Sequence, residues 1–288
     1  MSDSAPLPFR KMHGLGNDFI VLDGRTDPRA LTLDPARVRA LADRRAGIGC
    51  DQLIVIAPPR DPAAAALMRI FNADGSEVAA CGNATRCVGW LLMAQNGAPR
   101  VTIETEAGLL RAEARGAERV AVDMGPARLG WEEIPLARPL DTLHLPLAAG
   151  PLADPVAVGM GNPHAVFFVT DAEAVDLAAL GPGLEHDPLF PARCNIEVAQ
   201  ILPPAAPECG RIRMRVWERG AGITPACGTG ACATLVAAAR RGLTPRRAEL
   251  ILDGGSLEIA WGEDGHVLMT GPVATSFTGA AAPALLSA

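Results

Sequence analysis

One sequence feature constrains the fold more than any other: the chain repeats itself once, at an offset of about 145 residues. Gly16-Asn17-Asp18-Phe19 is matched by Gly161-Asn162-Pro163-His164, and Cys50-Asp51-Gln52 by Cys194-Asn195-Ile196. Met68-Arg69-Ile70-Phe71-Asn72 is matched by Met214-Arg215-Val216-Trp217-Glu218, Ala80-Cys81-Gly82 by Ala226-Cys227-Gly228, and Met124-Gly125-Pro126 by Thr270-Gly271-Pro272. Each landmark is short, but five in the same order at offsets of 144 to 146 imply two structurally equivalent halves. A length of 288 residues suits two such halves, each large enough for its own core.

Local patterns are alike in the two halves. Short β-branched runs predict strands at Phe19–Leu22, Leu53–Ile56, Leu67–Phe71, Val101–Glu104 and Val120–Asp123. Their counterparts are Ala165–Val169, Ile196–Ile201, Ile212–Trp217, Glu249–Leu252 and Val267–Thr270. Asp34-Pro35 signals an outer helix, with a capping aspartate followed by proline at the first helical position, and a weaker helix is expected over Asp171 to Leu180. The segments from Gly82 to Gln95 and from Gly228 to Arg241 are apolar on most sides, the mark of a helix buried at the centre of its half. The expected fold is therefore α+β, with two pseudo-symmetric halves, each a curled, mostly antiparallel sheet around a central helix. The halves are placed at residues 1–127 and 128–288, with 127–155 as connector and irregular edge strands and 273–288 free to pack back on the first half.

Composition removes several chemistries. The single lysine, Lys11, excludes pyridoxal-phosphate or other Schiff-base catalysis unless Lys11 itself carries it, and no Gly-Lys-Ser/Thr triplet exists to make a P-loop. There is no tyrosine to act as a general acid. A net charge of −6 without a basic run argues against nucleic acid as a partner. The first residues lack the apolar core of a signal peptide and no membrane-length apolar run occurs, so the expected location is the cytoplasm. Seven cysteines without a Cys-x-x-Cys pair fit neither a disulfide framework nor a zinc site, so no metal is expected.

Cys81 and Cys227 stand just before the two buried helices, where unpaired N–H groups and the positive end of the dipole favour an anion. A thiol there is expected to have a lowered pKa. If the halves face one another, two matched thiols would flank one substrate carbon. One would remove a proton and the other would return one on the opposite face, while helix N–H groups hold the charge that builds on a carboxylate. Polar, glycine-rich loops precede both cysteines: Asn72-Ala73-Asp74-Gly75-Ser76-Glu77 and Glu218-Arg219-Gly220-Ala221-Gly222. The bland alternative is that both cysteines merely pack at helix starts.

With these motifs assembled, the sequence resembles the diaminopimelate epimerase family. The resemblance runs through Lys11 to Phe19, Gly47 to Gln52, Phe71 to Glu77, Ala80 to Asn83, Met160 to His164, and Glu218 to Cys232. It implies a cofactor-independent isomerase interconverting LL- and meso-2,6-diaminopimelate, in lysine and peptidoglycan precursor synthesis, with a small-molecule substrate and a homodimer as the compatible assembly. Residue by residue, it implies Cys81 and Cys227 as the acid–base pair, with Cys227 accepting the proton in the LL-to-meso direction. Gly82, Asn83, Gly228 and Thr229 would hold the reacting carboxylate, and Asn17 and Gln52 would line the same site. Asn72, Asn162, Asn195, Glu218 and Arg219 would recognise amino and carboxylate groups, chiefly at the distal centre, and His164 and Glu218 would tune the cysteines. Cys50, Cys87, Cys194, Cys209 and Cys232 are left as structural thiols. Ala84, Cys194 and the tyrosine-free segment from Ala274 to Ala288 depart from the family pattern. A racemase for proline or glutamate, a cysteine hydrolase using His164 and Asn162, and a non-catalytic binding protein are the competing readings.

Overall fold

The computed structural model describes residues 5–79 and 81–286, with the side chain of Ala205 left aside. Ala80, the first residue of the leading Ala-Cys-Gly triplet, lies outside the described residues, as do 1–4, 287 and 288. The chain forms two compact units, Met1–Val122 with Gly271–Ala288, and Asp123–Thr270.

In the first unit, β1 (Leu7–Gly14) turns tightly into antiparallel β2 (Asn17–Asp23), and β2 lies parallel to β3 (Gln52–Ala57). The β2-to-β3 crossover carries α1 (Pro35–Ala42), which Asp34 caps by accepting from the Arg37 N–H. β3 continues into antiparallel β4 (Ala66–Asn72), which pairs with the short β5 (Glu77–Val78). α2 (Gly82–Asn96) then leads to β6 (Arg100–Thr105), parallel to β4, and to β7 (Gly108–Ala114), antiparallel to β6. β8 (Arg119–Pro126) runs across the unit boundary. The strand Ala274–Ala281 closes the first unit by pairing antiparallel with β1, from Leu7 opposite Ala281 to His13 opposite Ala274.

The second unit repeats this order. Two short strands, β9 (Ala148–Ala149) and β10 (Leu152–Ala153), pair with each other. β11 (Val156–Gly159) pairs antiparallel with β12 (Pro163–Phe168), and β12 lies parallel to β13 (Asn195–Ala206). α3 (Leu177–Glu185) occupies the crossover. β13 pairs antiparallel with β14 (Cys209–Glu218), which carries the two-residue β15 (Gly222–Ile223). α4 (Gly228–Arg240) precedes β16 (Arg247–Leu252), parallel to β14, then β17 (Gly255–Trp261) and β18 (His266–Pro272), each antiparallel to the one before. The sequence of parallel and antiparallel pairings is the same in both units, so the α+β, pseudo-symmetric architecture follows the repeat.

α2 and α4 are the central helices. α2 buries Ala84, Cys87, Val88, Leu91 and Leu92 together with Asn83, Thr85 and Arg86, and α4 buries every residue from Gly230 to Ala238. Small residues allow the close packing. A β-carbon on Gly89 would come within 2.7 Å of the Ala112 side chain on β7. α2 ends at Gly97, whose φ of 61° gives the left-handed cap that glycine adopts without strain.

Several details differ from the sequence expectations. The compact units meet at 122/123 and 270/271, and the last strand, expected to be free to pack back on the first half, takes its hydrogen-bond partner from β1. The weaker outer helix starts at Leu177, not Asp171. Asp176 accepts from the Ala179 N–H and caps it, while Asp171 closes a local turn onto Glu173. The 127–155 connector is less peripheral than its prolines suggest: Ile134, Leu136, Leu145, Leu147 and Leu152 are core residues beside Phe167 and Leu177. Register also corrects the alignment of the repeat. Leu53 opposes Phe71 and Ile196 opposes Trp217, which equates Gln52 with Asn195, so Cys50 and Cys194 are one residue out of phase.

Candidate active site

The two cysteines singled out by the repeat cap the two central helices. Cys81 precedes α2 with φ −149° and ψ 112°, and Cys227 precedes α4 with φ −115° and ψ 111°. At Cys227 this extended backbone turns the side chain back over the first helical turn, where it accepts from the Gly230 N–H.

Around α2, amides form two bonded pairs. Asn83 Nδ2 donates to Asn17 Oδ1 at 3.2 Å, and Gln52 Nε2 donates to Asn72 Oδ1 at 3.1 Å. Asn72 Nδ2 in turn donates to Ser76 Oγ at 3.0 Å within the Asn72–Ser76 turn. Two acceptors, Asn83 Oδ1 and Gln52 Oε1, are buried without a hydrogen-bond partner. Buried carbonyl oxygens left in this state are costly, and a ligand ammonium is the kind of donor that would satisfy them.

A charged network that the sequence reading did not assign holds Asn17. Asn17 Nδ2 donates to Asp51 Oδ2 at 3.0 Å, and Arg44 bridges Asp51 and Asp18 at 2.6 and 2.7 Å. Lys11 Nζ lies 2.5 Å from Asp18 and donates to the Gly49 carbonyl. The lone lysine thus sits in an ion pair at the base of a turn, and these cations hold the Asp18 carboxyl well below the usual carboxylate range. The signal was present in the Lys11-to-Phe19 and Gly47-to-Gln52 motifs, where Asp18 and Asp51 were given no role.

Around α4, the Cys227 Sγ accepts from the Gly230 N–H at 3.4 Å and lies 3.5 Å from Thr229 Oγ1. Asn162 Nδ2 donates to the same Thr229 oxygen at 3.4 Å. His164, fully buried, places Nε2 2.9 Å from Asn162 Oδ1 and Nδ1 2.6 Å from Glu197 Oε1. Asn195 donates to the Pro163 carbonyl and accepts from the Arg219 N–H, tying β13 to the start of β12 and to the loop after β14. Glu218 bonds the Thr224 hydroxyl and the Cys227 thiol. Arg219 joins this group through its backbone only; its guanidinium is exposed and donates to Ala192 O at 3.0 Å.

The expectation of a lowered thiol pKa fails at Cys227. Burial, with the Glu218 and Glu197 carboxylates close by, pushes this thiol well up. The helix terminus and the Thr229 and Gly230 contacts pull the other way, but desolvation is larger. Burial likewise pushes the Glu218 carboxyl up. Among the thiols left as structural, Cys50 and Cys87 are pushed up to about 11 and about 12 by burial, and Cys194 further.

Glu197 is the residue that sequence reasoning missed. It is fully buried, and a β-carbon on Gly230 would fall 2.7 Å from its Oε1. Its signal was a charge inside the apolar run Ile196-Glu197-Val198, at the position where strand register puts Ile54 in the first half. Among the described residues no group of three or more His, Cys, Asp or Glu side chains could hold a metal ion, and no helix is long and apolar enough to cross a membrane.

Comparison with known proteins gives a concordant result. The sequence model described as Diaminopimelate epimerase matches residues 9–130 and 156–276. The chain is 65% identical over 278 residues to a diaminopimelate epimerase of Rhodospirillum centenum, covering 96% of this chain and 93% of the relative. It is 58% identical over 284 residues to that of Acidiphilium cryptum, covering 99% of each. Among solved structures, a phenazine biosynthesis protein of the PhzF family from Bacillus anthracis superposes with a TM-score of 0.65 at 15% identity, over 96% of this chain and 99% of that one. A hydroxyproline epimerase from Agrobacterium vitis does so with a TM-score of 0.64 at 18% identity, over 95% and 90%. These structures share the fold.

Proposed function

The chain belongs to the diaminopimelate epimerase family, and on that premise we propose that Cys81 and Cys227 carry its reaction as an acid–base pair of thiols. The reaction is the interconversion of LL- and meso-2,6-diaminopimelate, an isomerisation of an amino acid in lysine biosynthesis. We extend this to the supply of peptidoglycan precursors, in the cytoplasm.

Inverting a carbon requires a base on one face and an acid on the other, and a symmetric pair serves both directions. In the LL-to-meso direction the Cys227 thiolate takes the α-proton and the Cys81 thiol returns one. Negative charge then builds on the reacting carboxylate. The N–H groups of Gly82 and Asn83 on α2, and of Gly228 and Thr229 on α4, are the donors assigned to it. A single hydrogen bond to a charged group contributes about 1.5–3 kcal/mol, so several together lower the barrier substantially. The unpartnered Asn83 and Gln52 oxygens are assigned to the substrate ammonium.

The observation that carries this reading is the placement of a cysteine with extended backbone at the head of each of two equivalent buried helices. Asymmetry around them supports a substrate with two unlike ends: Asn72 in the first unit is replaced by Glu218 in the second, with Arg219 beside it. Asn72, Asn162, Asn195, Glu218 and Arg219 are therefore assigned to substrate recognition. The test is incubation with LL-diaminopimelate in D2O without pyridoxal phosphate. Wild type is expected to give meso product carrying α-deuterium, and Cys81→Ala and Cys227→Ala to give none. Full epimerisation by either variant overturns the two-thiol assignment.

A further inference from the structure

Glu185, the last residue of α3, is a buried carboxylate that the reaction so far leaves unused. A charge taken out of water is costly unless it is well paired. Its pairs are specific. Oε2 accepts from Trp217 Nε1 at 2.7 Å, and Oε1 accepts from the Gly220 N–H at 2.9 Å and from Arg193 Nη1 at 3.1 Å. Burial pushes this carboxyl up, but the Trp217 and Gly220 bonds, with the cations nearby, outweigh it and hold the group below its ordinary value. Gly181, one helical turn earlier, lets α3 come this close, since a β-carbon there would run into the Trp217 indole.

The segment that Glu185 grips is the turn from β14 to β15. The Ala221 N–H returns to the Glu218 carbonyl at 3.1 Å, and Gly220 is left-handed at φ 77°. Arg219 stands in this turn between two anchored peptide groups. Its own N–H donates to Asn195 Oδ1 at 3.0 Å, and the next N–H, that of Gly220, donates to Glu185. Both acceptors are buried side chains. Peptide groups are planar, so fixing the plane on each side of a Cα fixes its φ and ψ, and with them the direction of the side chain. The Arg219 guanidinium is exposed and donates to an uncharged carbonyl, Ala192 O, so its aim depends on that backbone. We propose that Glu185 is a positioning residue for substrate recognition: with Asn195 it locks the two peptide groups that flank Arg219, aiming the guanidinium before the substrate's distal carboxylate arrives.

This positioning role rests on the reading of Arg219 as a recognition residue. The equivalent turn of the first half supplies a contrast. It closes by the Gly75 N–H bonding the Asn72 carbonyl at 2.9 Å, but Ala73 stands in the place of Arg219. From the outer helix of that half, the Arg39 guanidinium reaches the Asp74 carbonyl at 3.2 Å, an exposed contact. The turn that carries a charge for the substrate is the one held by a buried anion. Ordering a recognition group in advance removes an entropy cost from binding.

Steady-state kinetics with LL-diaminopimelate test this. Glu185→Leu removes all three acceptor contacts and is expected to raise KM about tenfold, the worth of one hydrogen bond to a charged group, with a smaller change in kcat. Arg219→Ala is expected to raise KM at least as much, and adding Glu185→Leu to it to give no further rise. Trp217→Phe removes only the Oε2 contact and is expected to lower the thermal midpoint while KM stays near wild type. In that background Glu185→Gln keeps an oxygen for the Gly220 N–H, with no indole N–H facing its amide nitrogen, and KM is again expected to stay near wild type. A lowered midpoint in Glu185→Leu with unchanged KM, or a KM rise that adds to that of Arg219→Ala, overturns the positioning role. If Glu185→Leu fails to fold, hydrogen exchange of the Gly220 amide in the unliganded wild type decides. Exchange about 100-fold slower than in a free peptide is expected, and exchange at the free-peptide rate overturns the role. A wild type that did not epimerise, or an unchanged KM in Arg219→Ala, would sink the functional reading. A KM rise in Arg219→Ala without one in Glu185→Leu sinks the positioning role alone.

Discussion

Cys81 and Cys227 hold the N-cap positions of α2 and α4, both with extended backbone (φ −149° and −115°, ψ 112° and 111°), although they belong to different units of the chain. Serine is a better helix cap than cysteine and a far weaker acid. Cys227→Ser is therefore expected to keep or slightly raise the thermal midpoint while epimerisation falls by ~10²–10⁴-fold, the usual contribution of a general acid or base. Calorimetry alongside α-deuterium exchange separates the two effects. A serine variant that is inactive only because it is unfolded would contradict the assignment.

Burial raises the Glu218 carboxyl above its ordinary value of 4.5. Below that value the folded and unfolded chains both hold the proton, and nothing is lost. As pH climbs toward the folded value, the unfolded chain releases a proton that the folded chain keeps, so stability falls. Glu218→Gln removes this dependence. Its melting temperature is expected to match wild type near pH 4 and to exceed it increasingly toward neutrality, while epimerisation drops. Parallel melting curves at all pH values would count against a buried, functional Glu218.

The Asp51 carboxylate fixes the Asn17 amide, which leaves Asn17 Oδ1 to accept from Asn83. Asp51→Ala frees that amide without touching a cysteine. The expected outcome is a several-fold rise in KM with a smaller change in kcat, and little loss of stability, because exposed ion pairs are worth only ~0–1 kcal/mol. Steady-state kinetics decide it: a loss confined to kcat would place Asp51 elsewhere in the mechanism.

Gly89 lets α2 approach β7. Alanine is the better helix former by about 1 kcal/mol, yet its methyl would meet Ala112 at 2.7 Å, where both partners are rigid. Overpacking of this kind costs ~1–3 kcal/mol, so Gly89→Ala is expected to be net destabilising in urea unfolding. A stabilised variant would mean that the sheet yields around the helix.

Much of this was legible in the sequence because the repeat is a one-dimensional record of the fold. Buried helices announce themselves by apolar residues on all sides, and strands by short β-branched runs, so α2, α4 and five strands of each half were found close to their true positions, while more polar strands such as β1, β7 and β17 were not. What failed depended on distance in space. The cysteine match at Cys50 and Cys194 was one residue out of phase because identity of residue type is weaker evidence than hydrogen-bond register. The Cys227 ionisation was given the wrong sign because a helix terminus is visible in sequence, whereas two carboxylates brought alongside from β13 and β14 are not. Glu197 was passed over for the same reason: it becomes meaningful only when His164 from the neighbouring strand is set against it.

The pairing of Ala274–Ala281 with β1 also orders events in time. The second unit is one unbroken stretch, so during synthesis all its strands exist before the first unit receives its closing one. Until then β1 keeps one row of backbone hydrogen-bond groups open while the whole second unit is made. Open edges of this kind recruit other strands. The charged residues along β1, Arg10 and Lys11, stand on the edge that must wait.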